Sequence, residues 1–170
     1  DDSNYYMKDP SVRLFVRVFG YDVYDTNERE WACRTVLKPS LKDEFLDTNG
    51  GLKCGKLSKA EVEGLDDNSI EKALQKSIKC SQVIYGVVDS ATGSTIADPD
   101  NSVDLSGTPF IWSVRGASFI PISNFFRSLT KQKKLMMKEV VKISTERKKN
   151  GSVTYFQANA SAFYIKYNIL

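Results

Sequence analysis

Residues 12–19, VRLFVRVF, place two arginines and two phenylalanines at alternate positions. In an extended chain Arg13, Phe15, Arg17 and Phe19 share one face, and Val12, Leu14, Val16 and Val18 share the other. The aliphatic face suits a core. The arginine–phenylalanine face suits a single-stranded polyanion, because guanidinium groups neutralise phosphates while ring faces stack bases. A strand buried on both faces would instead hold the two rings in the core, with the arginine stems along apolar surface. Two guanidinium groups are awkward in a dry interior, which favours the first reading. The same residue types recur downstream as Trp112 with Arg115, and as Lys142, Arg147, Lys148 and Lys149 with Tyr155.

Other chemistries find less support. The chain has no histidine, which excludes Ser-His-Asp, Cys-His and histidine-metal arrangements. No paired-acid or glycine-rich phosphate motif is present, so no catalytic residue, cofactor or metal is expected. Asp22, Asp25, Asp89 and Asp104 could together hold Mg²⁺, but Asp22 and Asp25 adjoin a strand end where aspartate serves as a turn residue. Cys33, Cys54 and Cys80 are odd in number and widely spaced. They read as reduced thiols of a cytoplasmic protein. A zinc site would need a fourth ligand. The sequons Asn150-Gly151-Ser152 and Asn159-Ala160-Ser161 read as coincidental, with no secretory signal visible in the polar opening residues.

Charge is unevenly spread. The net charge of +3 conceals eleven Lys/Arg against two Asp/Glu in residues 115–170, and thirteen against nineteen in residues 1–114. A basic third on an otherwise acidic chain points to a polyanionic partner. No apolar run approaches the ~20 residues needed to span a bilayer, and no membrane partner is expected.

The elements that must position these residues follow from periodicity and turn chemistry. Residues 35–57 read as loop, with Pro39 and the Asp47-Thr48-Asn49-Gly50-Gly51 cluster. A helical insertion over 58–79 follows, in which Ser58 with Glu61 and Asn68 with Glu71 have capping-box spacing. Residues 82–89, QVIYGVVD, read as a strand in which Gly86 marks a bulge or a close approach. Pro109 to Arg115 reads as another strand, alternating Phe110, Trp112 and Val114 against Ile111, Ser113 and Arg115. Pro121 fits the start of a helix whose Ile122, Phe125, Phe126 and Leu129 form one apolar stripe. Asn150-Gly151 between two β-rich runs predicts a hairpin with a type I′ turn, pairing Lys149 with Ser152 and Glu146 with Tyr155. Its core face would carry Val141, Ile143, Thr145, Phe156, Ala158 and Ala160. Its solvent face would carry Lys142, Ser144, Glu146, Lys148, Tyr155 and Gln157. The fold class is therefore α+β, mainly β: a small antiparallel barrel of five to six strands in a single domain spanning 1–170.

Two stretches, SGTPFIWSVRGASFIPISNFF and STERKKNGSVTYFQA, run strand, proline-led helix and basic hairpin in order. Over about residues 80–165 this resembles a diverse group of bacteriophage-encoded single-stranded-DNA-binding proteins with an OB-fold core. The resemblance rests on general pattern, with no diagnostic short motif. It implies that Trp112, Arg115, Tyr155, Lys148 and Lys149 hold the strand without sequence preference, in support of phage replication or recombination in the host cytoplasm. Such proteins often end in an acidic tail that recruits replication or recombination proteins, whereas this chain ends YIKYNIL.

The expected function is sequence-tolerant binding of single-stranded DNA, with RNA as a further ligand, through Arg13, Phe15, Arg17, Trp112, Arg115, Lys142, Arg147, Lys148, Lys149 and Tyr155. Homo-oligomerisation stays open. The competing reading is a viral interaction module that inhibits a host nuclease or defence complex. It would use acidic residues such as Asp43, Glu44, Asp66 and Asp67.

Overall fold

A computed structural model describes residues 5–7, 10–25, 28–48, 54, 57–95 and 98–163. The chain forms β1 (Tyr5–Met7), β2 (Ser11–Asp25), β3 (Glu30–Arg34), α1 (Lys59–Glu63), α2 (Ile70–Ser77), β4 (Lys79–Ser90), β5 (Thr92–Thr95), β6 (Val103–Asp104), β7 (Pro109–Val114), α3 (Phe119–Lys131), β8 (Val140–Asn150) and β9 (Val153–Phe163). Short 3₁₀ turns lie at Gly116–Ser118 and Met136–Lys138. The fold is mainly β with few helices, in two antiparallel sheets. The smaller sheet is ordered β1-β5-β6; the larger is ordered β7-β4-β2-β8-β9, with β3 joined to β2. No described helix is long and apolar enough to cross a membrane.

The expected barrel does not close. Strands β7 and β9 end the larger sheet without pairing to each other. The free edge of β9 is met instead by the turn before α3, where the Ala158 backbone N–H donates to Ser118 Oγ at 2.9 Å. Covering an edge with a turn and helix removes the need for closure.

The chain packs as two compact units, one of Asp1–Val16 with Ile84–Leu170 and one of Arg17–Val83. In the first, Val12, Leu14, Ile84, Val114 and Val141 from the sheet pack with Ile122, Phe125, Phe126 and Leu129 from α3. All four helical residues of the predicted stripe are buried, each contributing about 1.5–3 kcal/mol by burial. Pro121 sits in the first turn, where its missing N–H costs nothing. Gly86 lies under the Phe110 ring: an added Cβ would come within 2.7 Å of Phe110 Cζ. Close approach, rather than a bulge, accounts for that glycine.

In the second unit, Tyr21, Cys33, Cys54 and Leu74 form the core, with Val23, Phe45, Ile78 and Cys80 packed against it. Cys33 and Cys54 are joined by a disulfide, and Cys80 is outside it. This corrects the expectation of three reduced thiols and removes the argument from cysteine usage for a cytoplasmic setting. The helical stretch expected over 58–79 forms α1 and α2. Ser58 and Glu61 make the full capping box. The cap of α2 is Ser69 rather than Asn68, its hydroxyl accepting from Lys72 N at 3.1 Å.

Candidate nucleic-acid interface

Side chains on a strand alternate faces, so the buried set defines the exposed one. In the first unit Val12, Leu14, Ile84, Gly86, Val88, Val114 and Val141 are buried, and the core among them is the one α3 packs against. The opposite face therefore carries Arg13 and Phe15 from β2, Tyr85, Val87 and Asp89 from β4, Ser113 from β7 with Arg115 extended just past its end, and Lys142 and Ser144 from β8, where Val140 on the same side is itself buried. The register ties this face together: Ser11 lies opposite Lys142, and Lys142 opposite Ser161. Arg13 Nε donates to Asp89 Oδ1 at 2.7 Å across the face, and Arg115 donates to Ser113 Oγ at 3.3 Å. Phe15 is 46 % exposed.

The β2 pattern holds over half its length. Val12 and Leu14 are buried as expected, but Val16 is exposed and Phe19 is buried. Phe19 is in the second unit, paired by its backbone to Lys38 in both directions. Arg17 is in that unit also. Its Nε donates to Gln82 Oε1 at 2.8 Å, and its guanidinium stacks on the Phe19 ring at 4.6 Å. The four-residue alternation thus splits: Arg13 and Phe15 belong to the candidate face, while Arg17 and Phe19 pack locally.

Trp112 does not join the cations. It is half-buried, packs against the first core with Phe110 and lines a shallow apolar pocket of about 260 Å³ with Met7, Pro10 and Ile143. The residues of β7 that face outward are Ile111 and Ser113, with Ile111 exposed, and Arg115 follows directly after the strand.

The hairpin is longer than the core it serves. Eleven residues in each strand extend roughly 36 Å, whereas the thirteen residues of α3 extend roughly 20 Å. Among the described hairpin residues Val140 and Val141 are buried and Ile143, Ala160 and Ala162 pack against the core; beyond Thr145 and Ala158 the hairpin projects past it. The register also differs from expectation. Asn150 pairs with Val153, Lys148 with Tyr155, Arg147 with Phe156 and Glu146 with Gln157. The turn centres on Gly151-Ser152, and Gly151 alone has a positive φ, at 59°, as a type II′ turn requires. A shift of two residues preserves the faces, so Tyr155 still stands beside Lys148. Phe156 keeps its face too, yet is 67 % exposed, because at that distance from α3 there is no core left to meet. The expectation of a core Phe156 is overturned on that ground.

Electrostatics divide the hairpin cations. Lys148 Nζ donates to Glu146 Oε1 at 2.5 Å. That hydrogen bond holds the Glu146 carboxyl below its ordinary range, so the pair stays ionised and nearly neutral in sum. Arg147 and Lys149 lie on the other face with Phe156. Tyr155 is half-buried. The sequence signal that could have found Phe156 is the mismatch in length between the hairpin and the helix beneath it.

Of the acidic residues of the competing readings, Asp43, Asp66, Asp67, Asp89 and Asp104 serve nearby backbone and side chains. Asp43 accepts from Ser40 N at 3.0 Å, Asp66 accepts from Asn68 N at 2.8 Å, and Asp67 pairs with Lys72 at 2.9 Å. Asp89 is held by Arg13, and Asp104 accepts from Ser106. Among the described residues no cluster of three or more Cys, Asp or Glu could hold a metal ion. No protein-family model, curated protein or solved structure matches this chain.

Proposed function

We propose that this protein binds single-stranded DNA without sequence preference, using the sheet face opposite α3 together with the projecting hairpin. The observation that carries the reading is the placement of five cations of the C-terminal third. Arg115 and Lys142 stand on the face away from the helix-packed core, where Phe15 is half-exposed, and Arg147, Lys148 and Lys149 stand on the hairpin beyond the core, whereas Arg127, Lys131, Lys133, Lys134 and Lys138 lie on α3 and the segment after it. Lysine and arginine neutralise phosphates and release counterions. Exposed rings accept bases of any identity, since every base has a π-face. Stacking needs unpaired bases, so a single strand is preferred over a duplex. A role in phage replication or recombination rests on the resemblance alone.

Competition tests the reading. A fluorescein-labelled oligo-dT bound at low salt should be displaced by unlabelled oligo-dT at least ten-fold more effectively than by duplex of equal length. Equal displacement by duplex would mean backbone contact without stacking, and would contradict the proposal. Oligo-rU in parallel separates DNA from RNA preference.

A further inference from the structure

The distal hairpin presents two faces of unlike character. One carries Glu146, Lys148, Tyr155 and Gln157; there the lysine charge is offset by its carboxylate neighbour and the ring is half-buried. The other carries Arg147, Lys149, Thr154 and Phe156. Phe156 stands directly across from Arg147, with Lys149 one residue pair along on the same face, opposite Thr154. From Ile143 and Ala160 to the turn, this second face holds no Asp or Glu.

We infer that this second face is a contact surface for the strand in its own right, with Phe156 as the base platform and Arg147 and Lys149 as the phosphate contacts. The inference rests on the single-strand reading above and moves its stacking ring from Tyr155 to Phe156. A phenylalanine left in water forfeits most of its burial energy, and a stacked base recovers it. Residues paired across an antiparallel ladder have Cβ atoms about 5 Å apart, so a base on the Phe156 ring has its phosphate within reach of the neighbouring cations. An anionic membrane would also attract such a face. The tip that would have to enter it is Asn150-Gly151-Ser152, however, which is polar, and one ring behind a polar turn is a poor anchor. Charge complementarity with a ring-and-cation spacing of one residue pair favours nucleic acid.

The test uses the full chain and labelled oligo-dT, read by anisotropy at low salt. Phe156→Ala should weaken binding roughly five-fold or more, with thermal stability unchanged because the ring is exposed. Phe156→Trp should keep affinity, and its added fluorescence should be quenched by the oligonucleotide. Arg147→Ala with Lys149→Ala should flatten the salt dependence. Ile120→Ala removes an equally exposed apolar residue from α3 (68 % exposed) and should leave binding intact. If the wild type binds but F156A binds as well and F156W is not quenched, this inference falls while the broader reading stands. If the wild type fails to bind oligo-dT at all, both fall. Binding to phosphatidylserine vesicles that F156A abolishes, with no oligonucleotide binding, would assign the face to membrane and overturn the proposal.

Discussion

Glu146 sets how much of the charge on Lys148 is available to a ligand. Its carboxyl is held below the ordinary range first by the hydrogen bond from Lys148 and then by that ammonium's charge. Because the folded pKa is depressed, the carboxylate persists above it and is lost only as pH falls through it. Oligonucleotide affinity should therefore rise in acid as Glu146 protonates and leaves Lys148 uncompensated. Glu146→Gln should show tighter binding at neutral pH and lack that part of the acid rise. Its salt slope should steepen by about 0.7, the increment for one more phosphate neutralised on a single strand. An unchanged slope in E146Q would mean that Lys148 is outside the interface. Tyr21 offers a check on the second core. Burial, then the charge and hydrogen bond of Cys80, push its phenol up to about 12. A raised folded pKa stabilises the fold below the ordinary tyrosine range near 10 and loses that contribution as pH climbs toward 12. Ultraviolet titration should show one tyrosine ionising about two units late, and Tyr21→Phe should remove it. All phenols titrating together would contradict the buried placement. At this scale the sequence was readable where one core decides: Val12 and Leu14 are inside as their alternation implies. It was unreadable at Phe19, which is buried in the second unit, and at Trp112, whose strand face could be assigned only by knowing where α3 packs.

Among the elements, α3 was the most legible because its 3.6-residue stripe is local and complete. Ile122 is fully buried, so Ile122→Ala should cost about 2–5 kcal/mol, measured by urea unfolding. A cost under 1 kcal/mol would mean the helix is not the lid of this core. The hairpin was legible in its existence and faces but not in its turn. Asn-Gly favours a two-residue loop of one kind, while the observed loop moves Asn150 into the ladder and leaves Gly151 with the positive φ. Alternation shows which face a residue takes, not whether anything lies over it, and so Phe156 could not be placed. The disulfide was illegible for a different reason. Two cysteines separated by 21 residues carry no spacing signal, and pairing appears only when β3 brings Cys33 to the second core. Reduction, or Cys33→Ser with Cys54→Ser, should lower stability by about 2–4 kcal/mol. A melting curve insensitive to dithiothreitol would show that the two thiols are not bonded in solution.

At the scale of the whole molecule, charge asymmetry was visible from composition, and its consequence depends on placement. Local signals cannot report whether β7 and β9 meet, since closure depends on residues some fifty positions apart; an open sheet with a covered edge reads, strand by strand, like a barrel. What survives that correction is a sheet face away from α3 and a projecting hairpin that together carry Arg115, Lys142, Arg147, Lys148 and Lys149, five of the eleven cations of residues 115–170. The account stands on counterion release from that surface. The most direct measurement is the affinity for oligo-dT across a salt series from 50 to 500 mM. With Arg115, Lys142, Arg147 and Lys149 neutralising about four phosphates, the logarithm of the binding constant should fall with a slope near −3 against the logarithm of salt concentration. A slope near zero, or no binding at the lowest salt, would contradict it.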